Sequence, residues 1–541
     1  MRFSKSYFIN TLFPILVYGA ITGIIVGGVI WGYTFLAEWL GEHTVQIYTF
    51  TAENPLFIPL LFIGLAGLAI LAWATVKLVP SAKGSGVPYI EGVMRGLLPL
   101  KWLTTAIAML LGSLVSFFAG LPLGSEGPSV LIGGCLGNGV NDVGSKKSKS
   151  RFAWKRQTVT AGAAAGFAVA FNAPLAGILF ALEEGHKRFS PMILLPAAAS
   201  VIMATLTSNL LTELTGHGIA NVIFTEFSSA QNPTLKETGY FLLLGISTGF
   251  FAVVFSTAMN ALNDFFLKIK LPSIAKFLAA FLLTGIVGIF FADAIGGGSQ
   301  LIRKIALVGI EWKLMLALLI IKLVQIIFCS TSGATGGCTI PVMALGALFG
   351  GLMAKLFVKM GMDAEYYNLI VLISMCAMLG AVMRAPIMSV VLVVEMTRVT
   401  VHLWAVCLVI TLSYFVIELF NVEAIFDKSL SNILKERNAG KKRKLVELEV
   451  EIEHNSFAVG RCVRDILWPA NTIVLKVKKT DADGNPIYRM DKDGERIIHA
   501  GDRFIIQAET SNFEKTYREL CFIVKRPDFV ESMSDTLPED E

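Results

Sequence analysis

The sequence predicts an all-α polytopic membrane protein, built from two related halves of broken helices and followed by a small α+β module. Three observations predict it. Apolar stretches long enough to cross a bilayer recur through the first 420 residues, two Pro/Gly motifs reappear some 212 residues later, and the composition changes abruptly near Glu436.

The apolar stretches come first. Hydrophobic residues make up 54% of the chain and charged residues 16%, against roughly 25% charged in an average soluble domain. Mean hydropathy is +0.65. Long apolar runs cover about 8–36, 55–76, 102–118, 159–182, 191–211, 240–262, 277–291, 314–328, 368–394 and 403–420. At roughly 20 apolar residues per crossing these demand a helical bundle in a lipid bilayer. Arg2 and Lys5 precede the first run, which outlasts a signal peptide and lacks a small-residue cleavage pattern, so it reads as a retained helix. Gly19, Gly23 and Gly27 within it have the spacing of close helix packing, either within or between subunits.

Composition also excludes several functions. Seven scattered cysteines, with no CxxC pair, argue against a disulfide framework or a metal cage. A net charge of +5 carried in short loops suits membrane topology better than nucleic-acid binding. HExxH is absent and the six histidines do not cluster, so the chain is read as a non-enzyme without a cofactor.

The repeat is the second element. "PSVLIGGCLG" from Pro128 and "PVMALGALFG" from Pro341 both place Gly five and nine residues after the Pro, at an offset of 213. "APLAGILFALE" (173–183) and "APIMSVVLVVE" (385–395) match at an offset of 212. Two motifs at nearly one offset indicate homologous halves, about 50–211 and 237–420. Repeated halves are a recurrent build of secondary transporters, with the substrate site where they meet.

Three stretches interrupt the apolar pattern: "GSGVPYIEG" (84–92), "GSEGPSV" (124–130) and "TSGATGGCTIP" (331–341). Each sets Gly and Pro ahead of a helix-like run, where the first backbone N–H groups have no internal partner. In lipid such donors are costly, so these starts are expected to face protein or a water-filled cavity. Several helix starts aimed at one point suit a small inorganic anion, held weakly enough to leave again. Glu126 hangs at one of them. Ionised, it can occupy the anion's place; protonated, it must swing aside. The plainer alternative is that it only caps its helix.

Basic runs "KKSKSRFAWKR" (146–156) and "HKRF" (186–189) flank the segment 158–182, and the excess of positive charge places both on the cytoplasmic side. "FNAP" (171–174) reconciles this by breaking the segment into two helices that enter and return. Of the two acids that follow, Glu183 has a repeat partner, Glu395, which suggests a structural role. Glu184 has Met396 opposite, which leaves it as a candidate proton relay.

After the membrane part (1–435), residues 436–445 read as a charged linker, 446–528 as the soluble module and 529–541 as an acidic disordered tail. In the module, "VELEVEIE" (446–453), "TIVLKVKK" (472–479) and "RFIIQAE" (503–509) read as strands, "DADGNP" (481–486) as a turn and "NFEKTYREL" (512–520) as a helix.

These motifs resemble the CLC chloride channel and transporter family. "GSGVP" is similar to its GSGIP signature, "GSEGP" to GREGP, "GGCTIP" to GxFxP and "AFNAPLAGILFALEE" to its neighbouring helix pair, across residues 10–435. The resemblance implies the CLC fold, with two inverted repeats of broken and re-entrant helices, and a homodimer with one anion path per subunit. It places Ser85, Gly86, Glu126, Gly127, Cys338, Thr339 and Phe426 at chloride-binding positions, with Glu126 as the external gate and Glu184 as the internal proton-transfer acid. Glu184 favours chloride/proton exchange; a gated passive chloride channel is the alternative. Ser85 is the variant associated with chloride. Three residues depart from the pattern: Ser125 for Arg, Thr339 for Phe, and Phe426 for a Tyr whose hydroxyl binds the anion. The C-terminal module, through "SFAVGRCVRDI" (456–466) and "IIHAGDRFIIQAE" (497–509), is similar to the TrkA-C domain, which implies a small cytosolic ligand or a role in dimerisation. The expected location is a prokaryotic plasma membrane, with both termini cytoplasmic.

Overall fold

The computed structural model describes residues 13–144, 151–216, 224, 227, 233–269, 271–308, 310–398, 403–438, 444–454, 456–480, 486–489, 494–510 and 513–525. Arg2 and Lys5, the basic residues 146–150, linker residues 439–443, most of the turn predicted at 481–486 and the acidic tail at 529–541 lie outside the described residues.

Helix α1 (Phe13–Glu53) is followed by α2 (Ile58–Leu78), α3 (Val87–Met94), α4 (Trp102–Phe118), α5 (Glu126–Gly144), α6 (Arg151–Phe171), α7 (Pro174–Leu179), a π-helical turn over Phe180–Gly185, and α8 (Pro191–Thr215). The second half runs through α9 (Thr238–Lys268), α10 (Ser273–Phe290), α11 (Ser299–Val308), α12 (Trp312–Ser332), α13 (Thr339–Lys359), α14 (Tyr367–Met383), α15 (Pro386–Thr397) and α16 (Leu403–Leu419). Among the described residues, 8 helices are long and apolar enough to cross a membrane. At 41 residues, α1 would be roughly 60 Å long, well beyond an apolar bilayer core of about 30 Å.

Two of the apolar runs are each a pair of helices. The run at 159–182 breaks as expected, with Asn172 at φ +50 and Pro174 opening α7. The run read as continuous from 368 to 394 breaks in the same way at Arg384, φ +59, with Pro386 opening α15. The cause is shared: a proline cannot donate to the preceding turn, and the residue ahead of it is pushed out of helical geometry.

The repeated glycines hold corresponding helix pairs together. A Cβ on Gly133 would lie 2.2 Å from Gly162 O, and one on Gly137 2.1 Å from Thr158 O, so α5 and α6 pack backbone to backbone. In the second half, a Cβ on Gly346 would lie 2.8 Å from Ser374 O, and α13 packs on α14. Gly19, Gly23 and Gly27 sit against Pro196, Ser200 and Ala204 of α8, so this spacing serves packing within the subunit.

Reciprocal contacts relate the halves. The Glu183 carboxylate accepts from Ile387 N at 3.1 Å and Met388 N at 2.6 Å, at the start of α15. Glu395 accepts from Leu175 N and Ala176 N, both at 2.9 Å, at the start of α7. Each contact is the other displaced by 212 residues with the halves exchanged, which is the action of a twofold axis. The structural role expected for Glu183 is therefore a helix-start clamp.

Helix α17 (Ile425–Asn438) continues through "KERN", into the stretch predicted as linker. Beyond it, β1 (Lys444–Glu451), β2 (Thr472–Thr480), β3 (Pro486–Arg489) and β4 (Arg503–Thr510) form an antiparallel sheet in the order β1-β4-β2-β3, followed by α18 (Phe513–Val524). The three predicted strands and the helix are present. Strand β3 was missed because four residues opening on a proline carry no alternation. Val450, Ile452, Phe504, Ile506, Leu520 and Val524 build the module's own core.

The module is docked on the membrane part. Arg156 Nη1 donates to Leu467 O at 3.1 Å and Trp468 O at 2.8 Å. Arg188 Nη1 donates to Arg464 O at 3.1 Å, and Ser190 Oγ to Asp465 Oδ1 at 3.0 Å. Arg156 and Arg188, on either side of the broken segment, thus meet one surface, as its in-and-back path requires.

Candidate functional site

Three interrupted helix starts converge. Gly124 and Gly337 form an antiparallel bridge, ahead of α5 and α13. The loop before α3 joins them, with Gly84 N donating to Gly333 O at 3.3 Å and Gly336 N to Gly84 O at 3.1 Å. Gly127 marks the junction: a Cβ there would lie 2.4 Å from Ser85 O and 3.0 Å from Gly337 Cα. Only glycine lets three backbones approach so closely. Gly86, at φ +77, caps α3 and packs toward Met109 and Leu131.

Glu126 lies across this junction. It is 4% exposed, and its Oε2 has no hydrogen-bond partner among the described residues. A Cβ on Gly124 would lie 2.0 Å from that oxygen, and one on Gly337 3.0 Å. The carboxyl group therefore rests on the two glycines that join α5 to α13. The positive ends of both helices point into this region, so the backbone dipoles favour a negative charge there.

A cavity of about 2010 Å³ opens on the other side, lined by Gly84, Ser85, Gly336, Cys338 and Phe426 and extending to α18 of the module. Ser85, Cys338 and Phe426 are thus brought together on one wall. Gly86, Glu126, Gly127 and Thr339 are not among the residues lining the cavity, and Thr339 is buried in the first turn of α13. Phe426, at the start of α17, presents a ring and no donor.

Glu184 has a separate environment. It sits in the π-helical turn, 2% exposed, against the side chain of Glu91, which is 0% exposed on α3. Arg95 closes the group: Nη2 reaches Glu91 Oε2 at 3.5 Å and Glu184 O at 3.0 Å, and Nε donates to Gly185 O at 3.0 Å. Asp427, next to Phe426, pairs with both Arg95 and Lys187. Acid and cation thus link the Glu184 turn to the helix carrying Phe426.

Two features escaped sequence reading. Glu91 stood inside the quoted "GSGVPYIEG", four residues ahead of Arg95, a spacing that pairs charges on one helix face. "GGGS" (296–299) is the second-half counterpart of "GSGV", and Gly296 N donates to Gly120 O at 2.8 Å as Gly84 N does to Gly333 O. Beside it the fully buried Lys322 donates to Ala294 O at 2.8 Å and Gly296 O at 2.6 Å. A triple glycine 212 residues after "GSG" was the available signal.

The family model described as voltage gated chloride channel matches residues 66–418. The H(+)/Cl(-) exchange transporter ClcA of Salmonella arizonae is 34% identical over 401 residues, covering 72% of this chain and 82% of that protein. ClcA of Vibrio cholerae serotype O1 is 30% identical over 445 residues, covering 79% and 91%. The crystal structure of a slow cyanobacterial Cl-/H+ antiporter superposes with a TM-score of 0.70 at 25% identity, over 78% of this chain and 99% of that one. With its joined helix starts, repeated halves and matched length, the chain belongs to the voltage gated chloride channel (CLC) family.

Proposed function

We propose that the chain is a chloride/proton antiporter, moving chloride across the membrane in exchange for protons, as a homodimer with one path in each subunit. The observation that carries this reading is Glu126 lying over the Gly124–Gly337 bridge, where the starts of α5 and α13 meet beside Ser85. Chloride takes the place between Ser85, Gly86, Gly127 and the backbone at Cys338 and Thr339. Ionised Glu126 competes for that place; protonated Glu126 leaves it, so chloride passage and proton binding exclude one another. Glu184, paired with Glu91, passes protons from the side of the C-terminal module. The relatives named as H(+)/Cl(-) exchange transporters support this division of labour.

The C-terminal module is read as a TrkA-C-like regulatory domain that binds a small cytosolic ligand or supports dimerisation. Arg156 and Arg188, basic residues beside the broken segment, meet this module, which supports cytoplasmic termini in a prokaryotic plasma membrane. The test is uphill transport. In proteoliposomes, an imposed chloride gradient drives protons against their own gradient; chloride flux without proton movement favours a gated passive channel instead. Phe426, which lines the cavity without a hydroxyl, is the observation that favours that second reading.

A further inference from the structure

The cavity that begins at Ser85 does not end with the membrane helices. It runs past Phe426 and Asn432 of α17 to Lys515, Arg518 and Glu519 of α18, so the module forms its outer wall. Seven basic and four acidic residues line it. Of the acids, Glu519 faces Arg156, Lys155 and Lys515, leaving the excess of the wall positive, a field that concentrates anions at a cavity mouth.

Three lining residues also present buried polar atoms with no hydrogen-bond partner among the described residues: Ser330 Oγ, Asn432 Nδ2 and Arg518 Nε. All three can donate. Asn432 lies six residues beyond Phe426, about 9 Å along the α17 axis and hence displaced from the junction. Donors left unmatched in a cavity wall are costly unless something in the cavity accepts from them.

We propose that Arg518, with Asn432, forms a peripheral anion-binding station through which chloride passes between the bulk and Ser85, so that the C-terminal module contributes directly to the transport path. This rests on the chloride-transport reading above. A guanidinium is weakly hydrated and diffuse in charge, which suits a monovalent anion that must be captured and released. The station positions the anion and takes no part in proton transfer.

The experiment measures initial chloride uptake against chloride concentration in vesicles carrying the full chain, at low and high ionic strength. Arg518→Gln should raise KM by about three- to tenfold at low ionic strength, an effect that shrinks in high salt, with kcat and the proton-to-chloride ratio unchanged. Arg518→Lys should recover most of the loss. Asn432→Leu, on a membrane-part helix, should raise KM in the same direction even if the Arg518→Gln module were to misfold. Chloride flux in the wild type with unaltered KM in the variants overturns this proposal alone. Absence of chloride flux in the wild type overturns it together with the reading it rests on.

Discussion

Gly124 and Gly337, which occupy equivalent positions in the two halves, hold each other by two backbone hydrogen bonds of 2.7 and 2.6 Å. A residue paired with its own repeat mate marks the twofold axis, and Glu126 lies beside it. The two glycines are equivalent in pairing but not in surroundings.

That inequality gives a prediction. On Gly124 a methyl group would meet Glu126 Oε2 at 2.0 Å, the mobile end of a side chain. On Gly337 it would meet Gly127 N at 2.7 Å, which is backbone. Gly124→Ala should therefore fold but displace Glu126, giving chloride flux with weakened pH dependence. Gly337→Ala should lose roughly 1–3 kcal/mol of stability through overpacking. Thermal unfolding in detergent and vesicle flux separate the two, and identical behaviour would contradict the geometry.

The Glu183 and Glu395 clamps should respond as a matched pair. Each carboxylate accepts two backbone N–H groups at a helix start in the opposite half. Replacement by Gln removes the charge and one acceptor, costing about 1–2 kcal/mol per site. Glu183→Gln and Glu395→Gln should lower the unfolding temperature by similar amounts and leave the proton-to-chloride ratio intact. A selective loss of coupling in either variant would count against a purely structural role.

Much of this arrangement was legible in the sequence because it is written in backbone chemistry. Pro and Gly at "FNAP", "GSEGP" and "GGCTIP" dictate where helices stop and start, and the offsets of 213 and 212 residues to their repeat mates announce the repeat. The division between Glu183 and Glu184 followed from the same subtraction. Glu91 was not legible as a partner of Glu184, because contact between α3 and the π-helical turn is a tertiary event that no spacing encodes. The break at Arg384 was missed because 368–394 was read as one apolar run, although Pro386 mates with Pro174. The reach of the cavity to α18 depends on docking through carbonyls at Leu467 and Trp468, and any residue presents a carbonyl.

Glu126 and Glu184 should fail in different ways. Glu184 stands against Glu91 and is not among the residues lining the cavity, so Glu184→Gln should abolish proton movement while sparing chloride flux. Glu126 rests on the helix junction itself, so Glu126→Gln should give chloride flux that neither varies with pH nor drives exchange. Proton and chloride electrodes on one vesicle preparation check both. A normal proton rate in Glu184→Gln removes that residue from the path, and retained coupling in Glu126→Gln reduces it to a cap.

Glu519 makes the docking of the module depend on pH. Burial pushes its carboxyl above the ordinary glutamate value, and the neighbouring Lys515, Arg156 and Lys155 only partly offset this. A raised value means that the docked state binds the proton more tightly than the unfolded chain does. Glu519 is therefore best accommodated below the ordinary glutamate range, and stability falls as pH rises from there through the raised value. Hydrogen exchange along α18 in the full chain should accordingly quicken between acidic and neutral pH beyond the intrinsic rise in exchange rate. Glu519→Gln, which cannot ionise, should slow exchange at neutral pH and flatten the profile. If the variant exchanged faster at neutral pH, the ion pairs with Arg156 and its neighbours would outweigh desolvation, and the sign of the dependence would be reversed.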